Sequence, residues 1–249
     1  MDLEGAVAIV TGGSGGLGRR ICRALANAGT HVVVAYNTRP DEAQVTAQEV
    51  RDHGVQADTI RCDVADLQQV EALVPEVLRK FGRVDVLVNN AAYNKWIPFP
   101  DLEALTYEEW NKFISINLTG PMLLTKAVAG PMRHQGTGRI VNIASIAGLG
   151  PIGSSIAYAV SKAGLIHLTK CMTVGLAPEV LVNCIAPGYL EGTRISANLD
   201  PAYKKRAIEN AALKKATDMD DVASQVVAFC QSDSTTGQTL AIDAGRSFH

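Results

Sequence analysis

The chain has 249 residues and a net charge of −2, with 47% hydrophobic and 19% charged side chains. This composition is that of an ordinary globular protein and excludes a disordered one, and the lack of a basic excess argues against nucleic-acid binding. The N-terminus lacks a signal-peptide pattern, and no run approaches the ~18 apolar residues of a membrane span. Five scattered cysteines, none at C-x-x-C spacing, favour reduced thiols in a cytoplasmic protein over a disulfide or metal site.

Apolar runs of strand length alternate with amphipathic stretches along the chain. The predicted strands are residues 6–10, 31–36, 58–62, 84–88, 139–144, 181–186 and 239–242. The predicted helices are residues 17–28, 41–53, 67–81, 107–133, 155–176 and 218–230. Continuous apolar runs are typical of strands buried on both faces. The strict alternation predicts an α/β fold, a doubly wound parallel sheet in one domain over residues 1–249. Residues 190–215 have helical character, follow a strand end and are predicted to form a substrate lid.

A glycine-rich turn joins the first predicted strand to the first predicted helix. It reads Thr-Gly-Gly-Ser-Gly-Gly-Leu-Gly over residues 11–18. Glycine lets the backbone turn sharply and approach a ligand, and a helix N-terminus presents unpaired N–H groups to a diphosphate. The turn therefore predicts a dinucleotide site that includes Gly12, Ser14, Gly15, Gly16, Leu17 and Gly18; a turn without a ligand is the alternative.

The end of the second predicted strand bears on which dinucleotide binds. An NAD site usually has a carboxylate about 20 residues after the turn, where it bonds the ribose 2′-hydroxyl. Here the strand ends in Asn37, Thr38 and Arg39, without a carboxylate, and the Arg39 guanidinium suits a 2′-phosphate. The sequence favours NADP(H), with Asn37 and Arg39 as cofactor contacts. NAD(H) and a merely solvated Arg39 are the alternatives.

Four residues indicate acid–base chemistry at a carbonyl or alcohol. Tyr158 and Lys162 are four residues apart in a predicted helix, so their side chains share a face, and a neighbouring ammonium lowers a phenol pKa from about 10. Ser145 ends a predicted strand, where its hydroxyl can bond a substrate oxygen. Asn117 is a poor helix former inside a helical pattern. The alternative for Tyr158 and Lys162 is a surface helix pair without a catalytic role. Ser145 could instead be a turn or cap serine, and Asn117 a polar helix position.

Taken together, these motifs resemble the short-chain dehydrogenase/reductase family, and the chain is similar to 3-oxoacyl-(acyl-carrier-protein) reductase-like carbonyl reductases. The resemblance covers nearly the whole chain and rests on Thr11 to Gly18, Asp63, Asn89-Asn90-Ala91, Asn117, Ser145, Tyr158-x-x-x-Lys162 and Pro187-Gly188. It implies a Rossmann-type sheet of about seven strands with helices on both faces. It also implies that Tyr158 transfers the proton.

The resemblance implies a role for each of the other residues. Ser145 would orient the substrate carbonyl, and Lys162 would hold the nicotinamide ribose and lower the Tyr158 pKa. Asn117 would position a water that links Lys162 to solvent. The implied cofactor contacts are Asp63 and Val64 at the adenine, Asn90 and Ala91 at the adenosine ribose, and Pro187, Gly188 and Thr193 at the nicotinamide carboxamide.

These features predict an enzyme that reduces a ketone to an alcohol with NADPH. The alternatives are an NAD-dependent alcohol dehydrogenase, an epimerase or dehydratase, and a non-catalytic dinucleotide-sensing protein. The candidate substrate-binding residues are Ser145, Tyr158, Asn94, Trp96, Ile152 and Leu190. A basic cluster at Lys204, Lys205, Arg206, Lys214 and Lys215 fits either a solvated helix face or an acidic carrier protein. Apolar content on several faces of the helices at 107–133 and 155–176 predicts a homotetramer.

Overall fold

The computed structural model describes residues 1–248 and contains one seven-stranded, all-parallel sheet. Its strands are β1 (Val7–Thr11), β2 (His31–Tyr36), β3 (Ala57–Arg61), β4 (Val86–Asn89), β5 (Gly138–Ile143), β6 (Val180–Pro187) and β7 (Thr239–Ile242). Their spatial order is β3-β2-β1-β4-β5-β6-β7. The predicted doubly wound parallel sheet is therefore confirmed, and the predicted strands lie within a residue or two of the observed ones.

Helices cover both faces of the sheet. They are α1 (Gly16–Asn27), α2 (Pro40–Arg51), α3 (Leu67–Phe81), α4 (Tyr107–Ile114), α5 (Gly120–Gln135), α6 (Ile156–Leu176), α7 (Arg194–Ala197), α8 (Pro201–Glu209) and α9 (Met219–Gln231). The segment after β6 holds α7 and α8 and no strand, as predicted for residues 190–215. Within residues 1–248, no helix combines the length and the apolar character needed to cross a membrane.

The prediction of a single helix over residues 107–133 is wrong in one respect, because the observed helix is interrupted. A π-helical turn at Ser115–Thr119 separates α4 from α5. Pro121, near the start of α5, has no N–H and cannot complete the α-helical ladder back to residue 117. Such single π turns are frequent at functional sites, and this one contains Asn117.

Alternate residues of the central strands pack into two apolar layers. On β1, Ala8 and Val10 pack with α1 and α9, while Val7 and Ile9 pack with α3 and α5. Successive strand side chains point to opposite faces, so a strand covered on both sides needs apolar residues throughout. This is why the central strands are continuous apolar runs in the sequence.

The strand order places the ends of β1 and β4 side by side at the centre of the sheet. The chain moves outward to β2 and β3 in one direction, and to β5, β6 and β7 in the other. In open parallel sheets, a ligand crevice forms at this reversal, beyond the carboxyl ends of the strands. The turn after β1 and the residues that follow β4, β5 and β6 therefore meet at one edge.

Candidate active site

A cavity of about 460 Å³ lies beyond the carboxyl ends of the central strands. Every residue predicted to bind the cofactor lines it. Among the predicted substrate residues, Ser145, Tyr158, Asn94 and Leu190 line this cavity, whereas Trp96 and Ile152 line a smaller neighbouring one. Asn117 lines neither cavity and is fully buried.

Hydrogen bonds fasten the glycine-rich turn to the end of β4. The Thr11 hydroxyl accepts from the backbone N–H groups of Asn90 and Ala91, both at 3.0 Å, and the Asn90 amide donates to the Thr11 carbonyl at 2.8 Å. Gly12 has a φ of +62°, and a Cβ on Gly18 would collide with the Gly12 carbonyl oxygen. Only glycine permits this close approach between the turn and α1. The backbone of the first residues of α1 therefore lies directly at the cavity. This arrangement fits the diphosphate of a dinucleotide.

Polar side chains gather where β2 ends. The Asn37 amide donates to the Asp63 carboxylate at 2.9 Å. Arg39 donates to one oxygen of Glu42 at 2.9 Å, and Arg194, from α7, donates to the other. Arg39 and Arg194 line the cavity, whereas Glu42 does not. Two guanidinium groups therefore lie on the cavity wall at the end of β2, and both share the Glu42 carboxylate.

The side chains of Tyr158 and Lys162 lie one helical turn apart on α6. The Ser155 hydroxyl caps α6 by accepting from the Tyr158 N–H at 3.1 Å, which sets the position of Tyr158 in the first turn. The Lys162 ammonium lies 5.8 Å from the centroid of the Tyr158 ring and donates to the Ile143 carbonyl at 2.9 Å. Ser145, directly beyond β5, lines the same cavity. The fold thus brings Ser145, Tyr158 and Lys162 together.

Burial shifts the pKa values of Tyr158 and Lys162 in opposite directions. Burial raises the pKa of Tyr158 to about 12, although a hydrogen bond with Ser145 acts to lower that pKa. Burial also lowers the pKa of Lys162 to about 8. The expectation that Lys162 lowers the Tyr158 pKa is wrong for this structure, because the cost of removing the phenolate from water outweighs the nearby favourable groups. At neutral pH, Tyr158 is a protonated phenol.

The buried lysine makes the stability of the protein depend on pH. The unfolded chain has a lysine pKa near 10.5 and the folded protein one near 8, so between these pH values the unfolded state binds more protons. The contribution of Lys162 to stability therefore rises with pH across that window, by about 1–2 kcal/mol from pH 8 to 9.5. The buried thiols of Cys22, Cys62, Cys184 and Cys230 act in the opposite direction, because their pKa values are raised. We therefore expect Lys162→Met to change less favourably than the unaltered protein between pH 8 and 9.5, by the amount that Lys162 contributes, as measured by urea unfolding at both pH values.

The matched control for this measurement is Lys126→Met, because Lys126 is exposed. The stability of this variant should change with pH by the same amount as that of the unaltered protein. An equal change in Lys162→Met and Lys126→Met would show that Lys162 does not titrate in this window.

Asn117 joins three parts of the site from behind the cavity. Its amide oxygen accepts from the Tyr93 N–H at 2.7 Å, and its amide nitrogen donates to the Tyr93 carbonyl and to the Ser161 hydroxyl, both at 3.0 Å. The Ser161 hydroxyl in turn donates to the Tyr158 carbonyl at 2.8 Å. Asn117 therefore ties the loop after β4 to the first turn of α6. The water-positioning role implied by the family resemblance stays a prediction.

The sequence analysis did not assign several residues of the cavity wall. Four of them with polar side chains are Ser154, Arg194, Tyr203 and Arg246. The Ser154 hydroxyl donates to the Asn94 amide oxygen, and the Tyr203 ring packs against Trp96 with ring centroids 5.3 Å apart. Arg194 and Tyr203 fall inside the segment predicted as a lid, which is the one signal that could have found them. Arg246 follows the last strand and carries no local signal.

Comparison with known proteins agrees with this geometry. Residues 6–204 match the family model of short chain dehydrogenases, and the chain belongs to this family. The chain is 36% identical to the 3-oxoacyl-[acyl-carrier-protein] reductase of Staphylococcus epidermidis, over 96% of this chain and 97% of that protein.

Two solved structures are similar over nearly their whole length. A variant of actinorhodin polyketide ketoreductase with NADPH aligns at a TM-score of 0.89 and 33% identity, over 97% of each chain. NAD⁺-bound xylitol dehydrogenase aligns at a TM-score of 0.90 and 30% identity, over 98% of this chain and 100% of that one. Family and relatives together identify the protein as an NAD(P)-dependent oxidoreductase that acts on CH–OH and C=O groups. They favour the predicted enzyme over the alternative of a non-catalytic sensor.

Proposed function

We propose that the protein reduces a ketone to a secondary alcohol with NADPH, and that the reaction is reversible. The observation that carries this proposal is the position of the Tyr158 phenol, which lines the cavity with Ser145 and lies one helical turn from Lys162. A phenol is protonated at neutral pH, and at this position it can donate its proton to a carbonyl oxygen.

When bound, the nicotinamide supplies the hydride that adds to the carbonyl carbon. The Ser145 and Tyr158 hydroxyls donate hydrogen bonds to the carbonyl oxygen, where negative charge develops. Tyr158 then gives its proton to that oxygen, the product is the alcohol, and solvent returns a proton to Tyr158. The Lys162 ammonium, 5.8 Å from the centroid of the Tyr158 ring, would hold the nicotinamide ribose hydroxyls.

A panel of carbonyl compounds tests the proposal. Each compound is mixed with the protein and either NADPH or NADH, and the loss of the reduced nicotinamide absorbance is followed. We expect ketones to be reduced with NADPH. Consumption of neither cofactor with any ketone would contradict the function, and a marked preference for NADH would support the alcohol dehydrogenase alternative.

The preference for NADP(H) is supported by the guanidinium groups of Arg39 and Arg194, which line the cavity at the end of β2. Arg39→Ala should weaken NADPH binding roughly tenfold or more, because a charge-assisted contact to the 2′-phosphate is lost. NADH lacks that phosphate, so its affinity should be nearly unchanged. Both dissociation constants can be measured by calorimetric titration.

Arg51→Ala is the matched control for the Arg39 variant. Arg39 directly precedes α2, whereas Arg51 is the last residue of α2; its guanidinium donates to the Ala57 carbonyl and does not line the cavity. This control should leave both affinities unchanged. Equal losses of NADPH and NADH affinity in Arg39→Ala would show that Arg39 does not read the 2′-phosphate.

We also propose that residues 190–215 act as a lid over the substrate. The segment begins where β6 ends at the cavity, and Leu190, Thr193 and Tyr203 line the cavity wall. The Asn94 amide donates to the Ile195 carbonyl at 3.2 Å and connects the segment to the loop after β4. Such closing segments exclude water and complete a pocket.

The basic cluster of this segment mostly serves local contacts. Lys204 donates to the Ala197 carbonyl, Lys214 donates to the Glu209 carbonyl, and Lys205 pairs with the Glu209 carboxylate. These contacts support the solvated-face alternative over docking of an acidic carrier protein. We place the protein in the cytoplasm, because all five cysteines are unpaired and four of them are buried.

We further propose that the protein is a homotetramer with interfaces that include α6. Val160 and Val174 on this helix are 44% and 86% exposed, and apolar side chains left in water on a helix face are typical of an interface. Sedimentation velocity at micromolar concentration should show a single tetrameric species. A monomer under these conditions would contradict the proposal, and Val174→Lys should shift the population towards smaller species.

A further inference from the structure

The substrate side of the site carries positive charge without negative charge. The main cavity and a neighbouring cavity of about 290 Å³ share Gly153, Tyr203 and Arg246 as walls. Within residues 1–248, the one carboxylate on the lining of either cavity is that of Asp63, which lies at the end of β3 on the dinucleotide side. The smaller cavity is lined by Arg206 and Arg246 and by no acidic residue.

A rigid turn holds Arg246 at this position. The Asp243 carboxylate accepts from the backbone N–H groups of Gly245, Arg246 and Ser247, at 2.7–3.1 Å. The neighbouring backbone is tied to the loop after α8, since the Ala212 N–H donates to the Gly245 carbonyl at 3.0 Å. The Asp243 carboxylate is therefore used by the turn and forms no ion pair with Arg246.

The two guanidinium groups keep most of their donors for a ligand. Among the described residues, neither Arg206 nor Arg246 forms an ion pair, and the Arg246 guanidinium makes one long contact, 3.5 Å to the Arg206 carbonyl. A guanidinium offers five donors in a planar fork that matches a carboxylate. Arg246 is half-buried, and a half-buried cation beside an apolar wall is costly unless it gains a partner, whereas Arg206 is exposed.

An apolar wall runs between the reaction centre and the two arginines. Trp96 and Tyr203 pack together, and Tyr203 lines both cavities. The other apolar walls of the smaller cavity are Pro98, Phe99, Pro151 and Ile152, and Asn210 also lines it. A ligand that extends from Tyr158 into the smaller cavity would pass apolar side chains first and meet cations at its far end.

We propose that the substrate is an oxo acid: a ketone whose apolar arm carries a carboxylate, which Arg246 and Arg206 bind. The proposal rests on the proposed reduction of a ketone and specifies its substrate class. The carbonyl lies at Ser145 and Tyr158, the arm lies along Trp96, and the carboxylate lies at the arginines. The reaction is unchanged: the carbonyl carbon gains the hydride and the carbonyl oxygen gains the proton of Tyr158.

A series of methyl ketones with a terminal carboxylate tests the proposal. The number of methylene groups between ketone and carboxylate is varied, and each acid is compared with its primary amide, which is neutral and nearly the same shape. With NADPH, the best acid should exceed its amide in kcat/KM by about tenfold or more. Arg246→Ala should bring this ratio close to one, mainly through KM, and Arg246→Lys should retain part of it.

Two further variants guard against a trivial loss of folding. Arg206→Ala alters a side chain exposed on α8, outside the turn that holds Arg246, and should also lower the acid-to-amide ratio. Lys205→Ala removes a cation from the same helix that pairs with Glu209 and lines neither cavity. It should leave the ratio unchanged.

The outcomes separate this inference from the proposed function. If amides are reduced as well as acids, the oxo-acid inference is overturned and the reduction of ketones stands. The same holds if the ratio survives in both Arg246→Ala and Arg206→Ala. If no ketone of either series or of the carbonyl panel is reduced, the proposed function fails and the inference fails with it.

Discussion

Replacing Tyr158 by phenylalanine is expected to lower turnover by about 10²–10⁴-fold, the range that general acid–base catalysis contributes. The change removes one hydroxyl and keeps the ring, which packs with Phe113 at a centroid distance of 6.4 Å. The fold and NADPH binding should therefore persist. Turnover is measured from the nicotinamide absorbance and NADPH affinity by titration.

A second tyrosine serves as the control. Tyr107 is exposed at the start of α4 and lies outside the cavity, so Tyr107→Phe should leave both turnover and NADPH affinity unchanged. If Tyr158→Phe retains more than about a tenth of the turnover, Tyr158 is not the general acid. If it loses NADPH affinity together with turnover, the tyrosine acts in cofactor binding instead.

Replacing Asn117 by alanine is expected to lower the free energy of unfolding by about 2–5 kcal/mol. The change leaves the N–H and carbonyl groups of Tyr93 without their partner and removes the bond to Ser161. Each buried polar group left unpaired costs about 1–3 kcal/mol. Turnover of the folded fraction should also fall, because Ser161 connects this network to the backbone of Tyr158. Urea unfolding and single-turnover kinetics measure the two effects.

Asn111→Ala is the matched control, since Asn111 lies on the preceding helix α4 and its side chain makes no hydrogen bond within the described residues. This variant should leave the free energy of unfolding nearly unchanged. A loss below about 1 kcal/mol in Asn117→Ala would contradict the network described here. Loss of stability with full turnover in the folded fraction would make Asn117 purely structural and would exclude the water-positioning role.

The elements of this fold could be predicted from the sequence because each leaves a local pattern. Continuous apolar runs indicate strands covered on both faces. Apolar residues at helical spacing indicate the amphipathic helices that pack on these strands. The glycine-rich turn is equally local, since the close approach of Gly18 to Gly12 is possible for no larger residue. The pairing of Tyr158 with Lys162 follows from a spacing of four residues in a helix, and Ser145 follows from its place at a strand end.

Other parts of the site depend on residues that are far apart in the chain. Arg246 reaches the cavity only because the turn after β7 is fastened to the loop after α8, and no spacing predicts that contact. Trp96 and Ile152 line the neighbouring cavity, where the Trp96 ring packs against Tyr203, more than 100 residues later in the chain. The π turn at Asn117 likewise reflects packing around the site in addition to the proline.

The protonation of the site was decided by the tertiary structure alone. From the sequence, Lys162 lies near Tyr158, and a nearby ammonium predicts a lowered tyrosine pKa. In the folded protein Lys162 is buried and Tyr158 is half-buried, and the loss of water around them raises the pKa of Tyr158 and lowers that of Lys162. The sequence by itself therefore determined which groups meet, through helical periodicity and strand ends. How much water surrounds them depends on the whole fold, and that solvation sets the charge they carry.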